Sequence, residues 1–326
     1  MYRDATDCVP AGKEAAIMRK TALLFAGQGA QVVGMGKDLA EQFPSARSWF
    51  EKANACLDFD LAGICFNGPE PELTRTVNAQ PGIFLVSWAA LSVLNERVKE
   101  LRFDATAGLS LGEFTALAAA GAMSFEDGLK VVHQRGRFMQ EACEATHGAM
   151  AAVIGLDEEA TRAVCTEAGV SLANLNCPGQ LVISGEAGGI ARACELARAR
   201  GARRALPLAV AGAYHSPLMA SAQPKLQAEL DRIGLHESAV PVIANVTAQP
   251  HTDPASVRAR LVEQVTAPVL WEKSMRYLLE QGFTRFIELG PGTALSGFMK
   301  RIDKSAETLN VGDVESLETV VKQLRT

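Results

Sequence analysis

A chain of 326 residues, 48% hydrophobic and 21% charged, has the makeup of a globular protein with room for one large domain or two modest ones. A formal net charge of −5 and only 6% aromatic residues argue against both a phosphate-binding face and a base-stacking platform, so no nucleic-acid partner is expected. Seven cysteines with no C-x-x-C spacing suit a reduced compartment and suggest no metal site.

The first twenty residues carry Arg3, Asp4, Asp7, Lys13 and Glu14 and lack the apolar centre of a secretory signal. Residues 1–20 read as a disordered tail. No uninterrupted apolar run reaches the ~18 residues of a membrane span, so the chain is expected to be cytoplasmic, with no membrane partner. Order begins at Thr21–Phe25, a short apolar run that reads as a buried strand and stops at the turn Gly27-Gln28-Gly29. Helical spacing follows over Lys37–Cys56, broken by Pro44, and again over Pro81–Leu101. A brief strand at Ala105–Gly108 leads into a small-residue helix, Leu111–Ala120, and then a helix over Gly128–Glu144.

The pattern then changes. Ala149–Ile154, Val170–Asn176, Gln180–Ser184 and Arg204–Val210 read as strands, with helices over Glu158–Glu167 and Ile190–Arg200. The order strand, helix, strand, strand, helix, strand is that of a ferredoxin-like split βαβ unit. Helices over Pro217–Ile233, Pro254–Val265, Glu272–Gln281 and Glu315–Gln323 complete the pattern, with strands over Val240–Asn245 and Thr284–Leu289. Strands alternating with helices predict a mainly parallel sheet covered on both faces. The expected architecture is α/β: a large hydrolase-like domain from 21–147 and 212–326, with a small ferredoxin-like βαββαβ domain inserted at 148–211.

The sharpest chemical signal is Gly108-Leu109-Ser110-Leu111-Gly112, a G-x-S-x-G elbow between a strand and a helix. The glycines allow a sharp turn and close packing, and Ser110 is left at a helix N-terminus, which favours developing negative charge. A serine nucleophile needs a base. His133, His147, His236 and His251 read as solvated side chains, whereas His215 lies in a strand-to-helix loop, where α/β proteins place function. The Gly27–Gln31 loop lacks the lysine and spacing of a nucleotide loop; it is either a plain turn or a set of amides aimed at an oxyanion. Arg135 is either a surface arginine or a planar fork for a carboxylate.

Taken in order, Phe25-Ala26-Gly27-Gln28-Gly29-Ala30-Gln31, Gly108-Leu109-Ser110-Leu111-Gly112-Glu113, Gln134-Arg135-Gly136-Arg137-Phe138-Met139-Gln140, Asn176-Cys177-Pro178-Gly179-Gln180, Gly212-Ala213-Tyr214-His215-Ser216-Pro217-Leu218-Met219 and Gly290-Pro291-Gly292 resemble the malonyl-CoA:acyl carrier protein transacylases. The acyltransferase domains of polyketide synthases share these segments. The resemblance runs from about Thr21 almost to the C-terminus. It implies transfer of a malonyl group from malonyl-CoA to the thiol of acyl carrier protein, in fatty acid or polyketide synthesis. Coenzyme A thioester would be substrate, and no cofactor is implied. It implies Ser110 as nucleophile, His215 as base, and the amides of Gln28 and Leu111 as the oxyanion hole. Arg135 would hold the malonyl carboxylate, Asn176 would lie in the substrate site, and the Gln264 carbonyl would orient His215. Most members carry histidine where this chain has Leu109, and residues 1–20 have no counterpart. The rival reading is an α/β-hydrolase or patatin-like serine esterase or thioesterase, against which the late acid-then-histidine order of such enzymes is missing.

Overall fold

A strand whose side chains are apolar on both faces needs cover on both sides. The computed structural model, which describes residues 19–99 and 101–325, places the Thr21 run at the centre of a sheet. In chain order the strands are β1 (Lys20–Phe25), β2 (Ala105–Gly108), β3 (Gly148–Ile154), β4 (Ser171–Cys177), β5 (Gln180–Glu186), β6 (Arg204–Pro207), β7 (Val242–Ile243), β8 (Phe283–Leu289) and β9 (Glu307–Val311). One sheet has the order β7-β2-β1-β8-β9 and is parallel throughout. Leu23 and Phe25 of β1 pack into one layer of core, and Ala22 and Leu24 into another that contains Trp271 and Met275. The period of two along one strand therefore feeds two helical layers.

The second sheet, order β4-β5-β3-β6, is antiparallel. Helices Glu158–Ala168 and Ala187–Ala199 close its core through Val164, Ile190 and Ala193. It is tied to the rest of the chain by main-chain bonds, Leu175 to Val269 at 2.9 Å and Val269 to Ala173 at 2.8 Å. Arg301 adds donors to Gln180 Oε1 at 2.6 Å and to the Pro178 carbonyl at 2.7 Å.

Several elements differ from the sequence reading, each for a local reason. The long helix begins at Thr76, not Pro81, so Pro81 lies inside it. Its first turn is held by the Thr76 amide donating to Gln140 Oε1 at 3.1 Å. The same helix, Thr76–Arg97, is long and apolar enough to cross a membrane by length and composition, a match that Asn78, Gln80 and Ser87 conceal in a search for unbroken runs. Of its apolar 18-residue stretch 83% is buried within the protein, and it serves as a core helix. The expected strand to Val210 stops at Pro207; Leu208 makes one more bond, to the Met150 carbonyl at 2.9 Å, and the chain then leaves the sheet. The expected helix over Pro217–Ile233 is a 3-10 turn, Pro217–Ala222, followed by an α-helix, Gln223–Leu230, with Pro224 in its first turn. The strand at Val240–Asn245 shrinks to Val242–Ile243, because Asn245 is drawn into side-chain bonds near Ser110. Helices Leu61–Asn67, Glu70–Thr74 and Ala294–Ile302 and strand β9 were not anticipated. The tail boundary also moves. Residues 1–18 lie outside the described residues, but Lys20 opens β1 and Arg19 pairs with Glu307 at 2.8 Å.

The elbow between β2 and helix Gly112–Ala119 admits no side chain at its glycines. A Cβ on Gly108 would sit 1.9 Å from the Gly112 carbonyl oxygen, and one on Gly112 would sit 2.3 Å from that of Phe25. Both obstacles are main chain and cannot swing away. Gly108→Ala is therefore expected to destabilise the protein by roughly 1–3 kcal/mol or more. Gly297→Ala, in an exposed helix interior with open space at the Cβ, should stabilise it by about 0.5–1 kcal/mol. Urea denaturation of the two variants checks both signs.

Candidate active site

Ser110 leaves the end of β2 in the left-handed region, with φ 55. That conformation is costly for a residue with a side chain and persists only where the surroundings hold it. Here Asn245 does so. Its Oδ1 accepts from the Ser110 amide at 2.7 Å, and its Nδ2 donates to the Gly108 carbonyl at 2.7 Å. One side chain thus spans both sides of the turn.

His215 also has positive φ, 58, and is 4% exposed. Its Nε2 lies 2.9 Å from Ser110 Oγ and its Nδ1 lies 2.8 Å from the Gln264 carbonyl oxygen. A carbonyl only accepts, so Nδ1 carries the proton and Nε2 is bare toward the serine. Burial, then the Arg135 charge, push the imidazole down to about 4, against the raising pull of the Gln264 and Ala267 main-chain bonds. The ordinary imidazole value of ~6.5 does not apply at this site.

Arg135 is not a surface arginine. It is 1% exposed, on helix Phe125–Glu144. Nη1 donates to Gln80 Oε1 at 2.7 Å, and Nη2 donates to Gln264 Oε1 at 2.9 Å and to Ser110 Oγ at 3.1 Å. Its Nε has no partner among the described residues. Desolvation brings the guanidinium down to about 10, with Glu113 and then Tyr214 pulling the other way. Two amide oxygens hold the cation in place without cancelling its charge.

Gln28 lies across the cleft from this group. Its Nε2 donates to Tyr214 Oη at 3.2 Å, and its Oε1 accepts from Gln80 Nε2 at 3.3 Å. Tyr214 Oη also bonds Thr76 Oγ1. The Gln28 and Leu111 amides donate to no main-chain acceptor among the described residues. A cleft of about 350 Å³ between the two sheets is lined by Gln28, Ser110, His215, Tyr214, Asn176 and Leu208, among others. Asn176 is 7% exposed, and its Oδ1 lacks a partner among the described residues. Leu109 lines the same cleft and packs against the apolar cluster of Leu295 and Met299. No cluster of His, Cys, Asp and Glu suited to a metal occurs among the described residues.

The structure thus brings Ser110, His215, Arg135 and Gln264 together and puts Gln28 and Asn176 on the same cleft. Sequence reasoning missed Gln80, Asn245, Glu113 and His251. Gln80 was hidden because the helix was begun one residue too late to include it. His251 is not solvated: its side chain is 2% exposed and its Nε2 lies 2.8 Å from Glu113 Oε1. Nothing in the sequence marks a histidine among turn residues as buried.

Asn245→Ala is expected to leave the Ser110 amide and the Gly108 carbonyl buried and unpaired. At ~1–3 kcal/mol for each such group, denaturant unfolding should register a loss within that range or above it. A loss under about 0.5 kcal/mol would mean that the elbow holds its strained serine without Asn245.

Known proteins match the chain along almost its whole length. The acyl transferase domain model matches residues 22–323. A malonyl CoA-acyl carrier protein transacylase of Bacillus subtilis is 47% identical over 315 residues, covering 94% of this chain and 98% of that protein. The Haemophilus influenzae protein of the same name is 38% identical, covering 93% and 98%. An acyl-carrier-protein-S-malonyltransferase from Bartonella henselae superposes with a TM-score of 0.90 at 38% identity, covering 94% of this chain and all of that one. A malonyl-transacylase solved in complex with its type II PKS acyl-carrier protein matches with a TM-score of 0.90 at 38% identity, covering 93% and 99%. With matches of this extent, from one end of the fold to the other, the chain belongs to the malonyl-CoA:acyl carrier protein transacylase family.

Proposed function

We propose that this chain transfers a malonyl group from malonyl-CoA to the phosphopantetheine thiol of acyl carrier protein through a malonyl-serine, as a step of fatty acid or polyketide synthesis. The observation that carries the reading is the buried Arg135 guanidinium donating to the nucleophile's own oxygen. A cation beside the attacking atom suits an acyl group that bears a carboxylate. Acetyl has no anion to offer it, and a buried charge left unpaired is costly.

In the first half-reaction Ser110 Oγ attacks the thioester carbonyl and its proton passes to His215 Nε2. The Gln28 and Leu111 amides receive the oxyanion. Collapse breaks the C–S bond, and the departing coenzyme A sulfur takes the proton from His215. In the second half-reaction the carrier thiol gives its proton to His215 and attacks the ester. Collapse expels the serine oxygen, which recovers that proton. His215 Nδ1–H stays on the Gln264 carbonyl throughout, so no acidic third member is required to orient the ring. The malonyl carboxylate, once on Arg135, offsets the charge that depresses His215, so the base strengthens when substrate arrives. Asn176, with its free Oδ1, is assigned to an N–H of the pantetheine arm.

The proposed organisation is a large hydrolase-like α/β unit, 21–147 with 212–326, carrying a ferredoxin-like insert at 148–211. Support comes from the βαββαβ order and the β4-β5-β3-β6 arrangement of the insert. The cleft between the two units gives the acyl-serine walls that exclude water. Reaction partners are a coenzyme A thioester and a carrier protein, which fits a cytoplasmic setting.

Intact mass after mixing with malonyl-CoA should rise by one malonyl group in the wild type and not at all in Ser110→Ala. Label surviving in Ser110→Ala would refute the nucleophile. The pH profile follows from the low value of His215. Between ~6.5 and about 4 the native site stays unprotonated while an unfolded histidine would bind a proton, so stability from this group is complete above ~6.5 and is lost as pH falls toward about 4. In the same window the base remains active, so kcat/KM for malonyl-CoA should be flat from about pH 7.5 down to about 5.5. An acid limb centred near ~6.5 would contradict a buried base.

A further inference from the structure

Behind Ser110 lies a buried carboxylate that the transfer chemistry does not use. Glu113 is fully buried on the helix that follows the elbow. Its Oε1 accepts from His251 Nε2 at 2.8 Å. Its Oε2 accepts from the Asn245 amide at 2.9 Å and from Gln264 Nε2 at 2.7 Å. Gln264 Nε2 also donates to the Ser110 carbonyl at 3.1 Å.

A side-chain amide has two ends of nearly equal shape and opposite polarity. Only the oxygen end can face a guanidinium without setting donor against donor. Gln264 does face one, since its Oε1 accepts from Arg135 Nη2 at 2.9 Å. The nitrogen end enforces the same orientation, because it faces only acceptors: the Glu113 carboxylate by the shortest bond, then the Ser110 carbonyl, then Asn245 Oδ1 at 3.4 Å. The main-chain carbonyl of the same residue meanwhile holds His215. Gln264 is thus the joint between base and cation.

We infer that Glu113, anchored by His251, is a positioning residue that fixes the polarity of the Gln264 side chain and through it holds the Arg135 fork where the malonyl carboxylate arrives. Glu113 touches no substrate; it acts through Gln264. The inference rests on the reading of Arg135 as the carboxylate clamp. It assigns Gln264 a side-chain role in substrate choice, separate from the main-chain role toward His215. Only the side-chain role is removed by a substitution at 264.

The readout is the ratio of kcat/KM for malonyl-CoA to that for acetyl-CoA. Gln264→Leu and Glu113→Met should each lower the ratio at least ~tenfold, because a loosened fork, which also donates to Ser110 Oγ, disturbs both substrates there but deprives only the anionic one of its clamp. The double variant should fall little further than Gln264→Leu alone, since Glu113 hydrogen-bonds the amide that holds the fork and not the fork itself, and adds to it only the pull of its charge. Glu113→Gln should rescue the ratio to within about threefold. The new amide can keep its oxygen toward Gln264 and Asn245 and turn its nitrogen to His251, whose ring can move its proton to Nδ1. A merely structural role would slow both thioesters alike and leave the ratio unchanged, which would overturn the inference. Additive losses in the double variant, or a collapsed ratio in Glu113→Gln, would overturn it as well. Should Glu113→Met fail to fold, Gln264→Leu decides alone. Arg135→Ala separates the two levels. If it keeps malonyl preference, the clamp reading itself falls; if it loses preference while Gln264→Leu keeps it, only the present inference falls.

Discussion

A guanidinium removed from water dominates the layout of this site. Burying a charge costs several kcal/mol unless hydrogen bonds and opposing charge repay it. Arg135 has no carboxylate in contact among the described residues; the oxygens of Gln80 and Gln264 and the hydroxyl of Ser110 stand around it. Each glutamine is in turn held from behind. Gln80 belongs to the first turns of the long core helix and donates on to Gln28. Gln264 closes helix Pro254–Glu263 and donates on to Glu113. Elements remote in sequence are therefore tied to one cation, and the charge remains available to a ligand that brings an anion.

Burial, and after it the same cation, set the condition of His215, the proposed base. An imidazole that is both desolvated and near a positive charge stays neutral, with Nε2 free toward the serine. A triad with an aspartate would raise the ring's basicity, but it would also bury a second carboxylate close to Glu113. A main-chain carbonyl orients the ring without that penalty.

Much of this was legible in the sequence, because local chemistry dictates it. The elbow was readable from Gly108, Ser110 and Gly112, since a sharp strand-to-helix turn demands glycine where main chains nearly touch. The strands of the second, four-stranded sheet were readable from the alternation of strand and helix patterns, which are local signals. What was hidden depends on tertiary contacts. Pro81 marks a helix start by local rules, yet the helix extends back to Thr76 because that turn is pinned to Gln140. Asn245 and His251 sit in what local rules score as strand end and turn, and their partners lie more than a hundred residues away. Arg135 has the same side chain whether on a surface or in a core, and only the packing around it decides.

The central claim is that Arg135 recognises the acyl group by its carboxylate. The most direct test is a crystal structure of the enzyme trapped after reaction with malonyl-CoA. The account predicts density for a malonyl ester on Ser110 Oγ, with a carboxylate oxygen within hydrogen-bond distance, about 2.7–2.9 Å, of the Arg135 guanidinium. A malonyl-serine whose carboxylate points into the open cleft, with Arg135 still bound only to Gln80 and Gln264, would contradict it.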